Sequence, residues 1–190
     1  MPMMVWMSDD HFEDVLAAAQ GGAEFAFAQL WRELNPRLLR YLQTIAPSAA
    51  ADLASETWLQ VIRSLKGFEG NEAAFRGWVF TVARNKVVDA ARRDRRRPRA
   101  TIDDSALDRV AAPNDTALLA MEQLSTDAAL ALIATLPRDQ AEIILLRVVA
   151  GLDAATVAAM VGKSPGAVRV AAHRGLRRLQ ELVGRPPVTL

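Results

Sequence analysis

The apolar residues of this chain recur with the period of an α-helix along most of its length. Leu30, Leu34, Leu38 and Leu42 lie four residues apart, which predicts a helix with one buried face. No segment alternates apolar and polar residues over the length of a strand, so no strand is predicted. We therefore expect an all-α fold.

Two more helices are predicted in the first half of the chain. One begins at Asp52 and stops at Gly67, because glycine commonly follows the last helical turn. The other follows a loop at residues 68–75, in which Asn71 is the expected N-cap, and continues to about Arg96. Proline disfavours a helical conformation in the residue before it, so Pro98 ends this helix.

Residues 152–183 carry the signals of a helix–turn–helix. Asp153 is a good N-cap for a short helix, and Gly162 suits the left-handed conformation of a tight turn. Ser164 then caps a second helix with Pro165 at its first position, where the missing N–H has no cost. The predicted apolar face of this second helix is Val168, Ala172, Leu176, Leu179 and Val183.

The order of charges divides the chain into two lobes. Residues 1–100 carry 14 basic and 12 acidic side chains, residues 101–125 carry 1 and 5, and residues 126–190 carry 8 and 5. The acidic stretch is poorly periodic and contains Pro113 and Asn114, which is typical of a linker. We predict a helical domain at 1–98, a linker at 99–125 with helices resuming near Asp115, and a second helical domain at 126–190.

Composition removes several classes of function. The chain has no cysteine, and its two histidines, His11 and His173, lie far apart. A disulfide framework, a thiolate site or a helical hydrolase with clustered histidine and aspartate ligands is therefore not expected, and neither is a metal or another cofactor. No apolar run approaches the roughly 20 residues of a membrane span. The first residues lack a basic segment followed by an apolar one, so a secretory signal is not expected. We expect a cytoplasmic protein.

Positive charge collects at the end of the third predicted helix. Residues 82–99 hold eight basic residues and two acidic ones. Trp78, Asn85 and Arg92 are seven residues apart, so they share one stripe of the helix. The tryptophan can stack on an unpaired base, the amide can hydrogen-bond to a base edge, and the arginine can neutralise a phosphate. Taken singly, the tryptophan fits a core position and the arginines fit a solvated tail. Followed by a helix–turn–helix, the combination favours DNA.

The second helix of the helix–turn–helix has one basic side. Arg169, Val170, His173, Arg174, Arg177 and Arg178 fall outside its apolar face. A helix that reads the major groove needs such a surface. An ordinary amphipathic hairpin with solvated arginines is the alternative interpretation.

These blocks together resemble the extracytoplasmic-function (ECF, group IV) sigma factors of the sigma-70 family. "FAQLWRELNPRLLRYL" is similar to the opening of their region 2, and "DLASETWLQVIRSL" to the segment that docks on the β′ coiled coil of RNA polymerase. "FEGNEAAFRGWVFTVARNKVVDAARRDRRR" resembles the part that opens and reads the −10 element. The segment from Leu136 to Leu179 resembles region 4, which reads the −35 element. The resemblance covers about residues 25–97 and 130–180.

The resemblance implies roles for individual residues. Core-polymerase binding falls on Asp52, Leu53, Glu56 and Leu59, with Ser55 where the family often has glutamine. The −10 residues are Phe68, Asn71, Phe75, Trp78, Arg84, Asn85, Lys86, Arg92 and Arg93, with a looser electrostatic role for Arg95, Arg96, Arg97 and Arg99. The −35 residues are Ser164, Arg169, Val170, His173, Arg174 and Arg177.

The chain departs from the family at one part of the predicted reading helix. Val170 and Ala171 replace a serine and an arginine that are common there, so two hydrogen-bonding groups are lost. A small apolar side chain can instead contact a thymine methyl group. We expect an unusual −35 preference that rests on Arg169, His173, Arg174 and Arg177.

The resemblance implies a transcription initiation factor that binds core polymerase, recognises both promoter elements and promotes melting. Such a factor is not itself an enzyme, since the polymerase forms the bonds. Its partners would be the polymerase core, through the β′ coiled coil and the β flap, and promoter DNA, with an anti-sigma factor as a further candidate and no insertion into a membrane. A stand-alone helix–turn–helix regulator that binds duplex DNA as a dimer is the alternative. That alternative leaves the segment from Asp52 to Leu65 without a role.

Overall fold

The computed structural model describes the backbone of residues 9–96 and 117–183, and the side chains of residues 11–94 and 126–183. Every regular element in these ranges is helical, which confirms the predicted all-α class. Arg97, Pro98, Arg99 and most of the predicted linker lie outside the described residues, as do the side chains of Arg95 and Arg96.

Within residues 9–96, four helices form the first lobe. They are α1 (Asp9–Gln20), α2 (Glu24–Ile45), α3 (Ala50–Ser64) and α4 (Glu72–Arg96). The leucines at 30, 34, 38 and 42 are all buried in α2, as their spacing predicts. The periodicity did not predict α1, and α3 begins two residues before Asp52, which lies in its first turn. A short 3₁₀ turn, Leu65–Gly67, follows α3.

Within residues 117–183, four helices form the second lobe. They are α5 (Ala117–Ala134), α6 (Arg138–Ile144), α7 (Ala154–Val161) and α8 (Pro165–Val183), with a π-helical turn at Leu145–Val149 after α6. Since α5 begins at Ala117, the end of the span predicted as linker is helical, and helices resume close to the expected Asp115. Helices α7 and α8 are the predicted helix–turn–helix.

The caps of the helix–turn–helix follow the sequence rules. The Asp153 carboxylate accepts a 2.7 Å hydrogen bond from the Thr156 N–H, and the Ser164 hydroxyl accepts one of 3.2 Å from the Ala167 N–H. Between the helices, Gly162 has φ of 67°, a left-handed conformation that other residues rarely adopt.

The apolar face of α8 differs from its prediction. Val168 is fully buried, but Leu176 is 45% exposed and Val183 is 69% exposed. Gly175 is buried instead, and a Cβ there would come within 2.5 Å of the Ile144 Cδ1 atom. Because α8 crosses α6 at this glycine, the buried face follows residues 168, 172, 175 and 179, and the predicted leucine at 176 points outward.

The two lobes pack against each other. Helix α2 contacts α5, α6 and the π-helical turn, while α4 contacts α7, so the buried apolar side chains of both lobes form one cluster. Tyr41 of α2 is fully buried here, with its ring edge-on to Phe80 at a centroid distance of 5.7 Å. Its hydroxyl donates to the Glu142 carboxylate of α6 at 3.3 Å. Burial and the neighbouring carboxylate raise the pKa of Tyr41, which keeps this hydroxyl protonated as a donor.

Candidate polymerase and nucleic-acid interfaces

The loop before α4 carries an aromatic cluster. Phe68 stacks on Trp78 with centroids 5.1 Å apart and ring planes 22° apart, and it meets Phe75 edge-on at 5.3 Å. Phe68 and Trp78 are both half-buried, whereas Phe75 is only 1% exposed. Two aromatic rings are therefore partly accessible beside the loop, while the third is a core residue beneath them.

The burial of Phe75 and Leu53 changes what can be expected of them. Phe75 was predicted to contact −10 DNA and Leu53 to contact polymerase, but Leu53 is only 2% exposed. Both side chains fill the core between helices of the first lobe, because each lies on the side of its helix that faces a neighbouring helix. In this conformation the two side chains pack beneath the predicted DNA-binding and polymerase-binding surfaces and are not exposed for contact with a partner.

Asn71 lies at the start of α4, as predicted. Its side-chain oxygen accepts a 3.0 Å hydrogen bond from the Ala74 N–H, which satisfies one of the free donors of the first turn. The preceding Gly70 has φ of 143°, and a Cβ there would lie 2.9 Å from the Ala74 Cβ atom. The loop conformation thus depends on a glycine next to a capping asparagine.

Several basic side chains of α4 are paired with carboxylates. Arg84 forms an ion pair of 2.9 Å with Glu142 across the two lobes. Lys86 lies 3.5 Å from Glu56 of α3, and Arg92 lies 3.7 Å from Asp89 in its own helix. Asn85 and Arg93 are exposed. Three of the predicted phosphate-binding cations therefore have an anionic partner already.

Helix α7 lies over the face of α4 that carries Trp78. A Cβ at Gly77 would come within 3.1 Å of the Thr156 Cγ2 atom, so the two helices approach closely at this glycine. The cleft between them is lined by Asn71, Ala73, Ala74, Gly77, Trp78 and Thr81 on one side and by Asp153, Thr156, Ala159 and Met160 on the other. In this arrangement the second lobe covers part of the predicted −10 surface.

An apolar groove runs between α2 and α3, and Asp52 and Glu56 line a separate cleft between α3 and α4. Leu59 and Ile62 are each 51% exposed and Trp31 is 41% exposed, so three large apolar side chains face outward. The groove is lined by Trp31, Asn35, Leu39, Ala51, Ala54, Ser55, Trp58, Leu59 and Ile62. Asp52 is exposed and Glu56 is half-buried on the same helix. Such contiguous exposed apolar surface is typical of a protein-binding site.

The predicted −35 residues lie on α8 as a group. Ser164 caps the helix, while Arg169, Val170, His173, Arg174 and Arg177 are all exposed. Arg177 pairs with Glu181 of the same helix at 3.2 Å. Ala171, the second departure from the family pattern, is half-buried against the core, so Val170 is the apolar side chain of the pair that faces outward.

Two contact residues were missed by sequence reasoning. The Glu142 carboxylate accepts a hydrogen bond from the Tyr41 hydroxyl and forms an ion pair with Arg84. The Gln20 side-chain amide donates to the Leu65 and Phe68 carbonyl oxygens at 3.0 and 2.8 Å. Their partners lie 45 to 101 residues away in the chain, so no local spacing signals them.

The described part of the chain offers neither a membrane-spanning helix nor a cluster of metal ligands. Residues 9–96 and 117–183 contain no helix long and apolar enough to cross a membrane. Among the side chains of residues 11–94 and 126–183, no three histidine, aspartate or glutamate side chains come together as metal ligands would.

Comparison with known families assigns the two halves of the chain separately. A family model described as Sigma-70 region 2 matches residues 30–97, and one described as Sigma-70, region 4 matches residues 118–179. The first match contains α3 and α4 and most of α2, and the second contains most of the second lobe. Helix α1 lies before both matches.

Similar proteins span nearly the whole chain. The ECF RNA polymerase sigma factor ShbA of Streptomyces griseus is 38% identical over 176 residues, which cover 87% of this chain and 91% of that protein. The ECF RNA polymerase sigma factor SigD of Mycobacterium tuberculosis is 34% identical over 184 residues, with 92% and 85% covered.

Solved structures share the fold. RpoE of Bartonella quintana, in complex with the anti-sigma factor NepR, has a TM-score of 0.60 at 23% identity and covers 83% of this chain and 96% of its own. CnrH, in complex with the cytosolic domain of CnrY, has a TM-score of 0.58 at 21% identity, with 90% and 95% covered. With relatives above 30% identity along most of its length, this chain belongs to the ECF RNA polymerase sigma factors of the sigma-70 family.

Proposed function

We propose that the chain is an alternative sigma subunit that binds core RNA polymerase, recognises −10 and −35 promoter elements and promotes melting of the −10 region. It acts in the cytoplasm, where the polymerase is. The polymerase forms the phosphodiester bonds, and this chain supplies recognition. We assign residues 1–98 to the −10 and polymerase-binding domain, 99–125 to the linker and 126–190 to the −35 domain.

One observation carries the proposal. An exposed apolar groove between α2 and α3 lies on the same lobe as an aromatic loop and a basic helix, and a helix–turn–helix follows. Asp52 and Glu56 line the neighbouring cleft between α3 and α4. A stand-alone duplex-binding regulator would need only the helix–turn–helix. The groove and the aromatic loop are explained if the groove binds polymerase and the loop binds an unpaired DNA strand.

The proposed polymerase contact combines apolar burial with charge. Leu59 and Ile62 would fill the partner surface, and Asp52 and Glu56 would pair with basic residues of the β′ coiled coil. Leu53 takes part from beneath, by fixing α3 against its neighbours. The β flap would be the second polymerase contact, through the second lobe.

The proposed −10 contact uses the loop and α4. Phe68 and Trp78 offer ring faces to unstacked bases, and Asn71 and Asn85 offer amides to base edges. The DNA phosphates are contacted by the basic side chains of α4, namely Arg84, Lys86, Arg92 and Arg93. Since α7 covers part of this face, the proposal requires the lobes to separate when promoter DNA binds.

An anti-sigma factor is a further partner that we propose on the precedent of RpoE, which was solved with NepR. The −35 contact is proposed to rest on Arg169, His173, Arg174 and Arg177, with Val170 against a thymine methyl group and Ser164 at the helix start.

Binding to purified bacterial core polymerase tests the proposal. A Leu59→Asp variant places a charge in the groove and should weaken binding at least about tenfold, because a buried contact is replaced by a desolvated carboxylate. The matched control is Phe25→Asp, a change at an apolar residue that is 70% exposed and does not line the groove. Equal affinity for the two variants would contradict the proposed contact.

A further inference from the structure

Helix α1 touches the base of the loop that precedes α4. Its last residue, Gln20, donates its side-chain amide to two backbone carbonyl oxygens, of Leu65 at 3.0 Å and of Phe68 at 2.8 Å. The side chain is half-buried between these elements. The side-chain amide has two N–H donors, so it can donate at the same time to the carbonyl oxygens of Leu65 and Phe68, at the two ends of one turn.

The position of Gln20 is itself fixed by the end of α1. The Gly22 and Ala23 N–H groups bond back to the Ala19 and Ala18 carbonyl oxygens, each at 3.0 Å. Gly22 has φ of 95°, which lets the chain reverse there into α2. Gln20 therefore projects from a helix C-terminus that is capped by backbone hydrogen bonds, so its backbone position is fixed.

A second contact from α1 lies under the same loop. Phe12 is 1% exposed and packs on Phe75 with centroids 5.6 Å apart. Phe75 in turn contacts both Phe68 and Trp78. Helix α1 thus supports the aromatic cluster through the core and holds the backbone of one of its two half-buried rings, Phe68, through Gln20.

From these contacts we propose that Gln20 is a positioning residue for −10 recognition: it holds the backbone at Leu65 and Phe68, and so fixes the Phe68–Trp78 ring pair where an unstacked base is received. The inference rests on the proposed function. A pocket for an extruded base must be held to within a fraction of an ångström to discriminate between bases, and two hydrogen bonds restrict the turn in that way.

The test compares base selectivity and not only activity. Holoenzyme assembled with the full chain first selects its preferred sequence from single-stranded oligonucleotides randomised over six positions. Affinity is then measured for the selected oligonucleotide and for its single-base variants. Gln20→Met keeps the length of the side chain but removes the donors, and we expect the selectivity ratio at one position to fall about fivefold.

Two further variants separate positioning from stability. Gln20→Glu has nearly the same shape, but its ionised carboxylate faces two carbonyl oxygens, so selectivity should fall at least as far. Val15→Ala removes buried apolar volume from the same helix and should lower the melting temperature while leaving the ratio unchanged. Gln43→Met repeats the first substitution at an exposed position of α2 and should change neither quantity.

The outcomes are distinguishable. If the wild-type holoenzyme selects a sequence and Gln20→Met keeps the same selectivity ratio, the inference is wrong and the proposed function stands. A ratio that falls equally in Val15→Ala would also overturn it, since loss of stability would then explain the effect. If the wild-type holoenzyme selects nothing, the proposed function fails and the inference fails with it.

Discussion

The two predicted DNA surfaces of this protein differ in how their positive charges are partnered. On α4, Arg84, Lys86 and Arg92 each lie within 4 Å of a carboxylate, and α7 covers part of the neighbouring face. On α8, Arg169 and Arg174 are exposed, and no carboxylate in the described ranges lies within ion-pair distance of them. Most of the predicted cations on α4 are therefore paired within the chain, whereas, among the described residues, α8 keeps Arg169 and Arg174 unpaired beside its Arg177–Glu181 pair.

This difference predicts two kinds of binding. An exposed arginine gains the full benefit of counterion release when it meets a phosphate. A paired arginine must first give up its carboxylate, so its net gain is smaller. The chain without polymerase should therefore bind duplex DNA weakly through α8, and it should bind a single strand through α4 only when the lobes have separated.

The largest expected effect comes from reversing charge on α8. Arg169→Glu with Arg174→Glu should weaken binding to a promoter-length duplex about a hundredfold at low salt, because two favourable phosphate or base contacts become repulsive. Fluorescence anisotropy over a series of salt concentrations measures this. The slope of affinity against salt should also become shallower by about two contacts.

The matched control reverses two arginines elsewhere. Arg32→Glu with Arg63→Glu makes the same change in net charge at exposed residues of α2 and α3. Duplex affinity that drops equally in both double variants would mean that overall charge, and not α8, determines duplex binding.

A smaller effect is expected from releasing a paired cation of α4. Glu142→Gln removes the charge that holds Arg84 and should raise single-strand affinity roughly tenfold, since Arg84 becomes available to phosphate and the lobes are held less tightly. Anisotropy with a labelled single-stranded oligonucleotide measures the affinity. Tyr41→Phe removes the other bond to Glu142 and should shift affinity in the same direction but less. Unchanged affinity in both variants would show that the carboxylate does not restrain α4.

The smallest effects concern one helix cap in each lobe. Asn71→Ala and Asp153→Ala should each lower the free energy of unfolding by about 1 kcal/mol, because each removes an oxygen that accepts a backbone N–H of the first turn. Chemical denaturation at pH 7 measures both. A loss below the error in either variant would mean that water replaces the cap there.

Acid separates the two caps. The hydrogen bond from the Thr156 N–H is the main reason why the pKa of Asp153 is lowered in the folded protein. A group with a depressed pKa stabilises the fold above its unfolded pKa of about 3.9, and this contribution disappears as the pH falls through the folded value. The cost of Asp153→Ala should therefore shrink in acid, whereas that of Asn71→Ala, a neutral amide, should change little. Equal pH profiles for the two variants would contradict this assignment.

The local features of the fold were predictable from the sequence. Asn71, Asp153, Ser164 and Gly162 do what their residue types predict, because capping and left-handed turns depend on only a few neighbouring residues. The leucine stripe of α2 is equally local. These signals suffice for the helix–turn–helix and the all-α class.

Features that depend on packing were not predictable. The apolar pattern places Leu53 and Leu59 in one set on the same helix, but it does not tell which of them faces another helix and which faces outward. In the structure, Leu53 is 2% exposed and Leu59 is 51% exposed. Gly175 is buried only because α8 crosses α6 there. Gln20 and Glu142 acquire partners through the tertiary fold alone. The assigned roles of the polymerase and DNA residues stay predictions.

The most direct test of the central claim is run-off transcription with purified core polymerase on promoter-containing fragments, with and without this chain. We predict transcripts from defined start sites only when the chain is present, lost with Leu59→Asp and retained with Phe25→Asp. Transcripts that are the same with and without the chain, together with duplex binding as a dimer that core polymerase does not alter, would contradict the account and favour a stand-alone regulator.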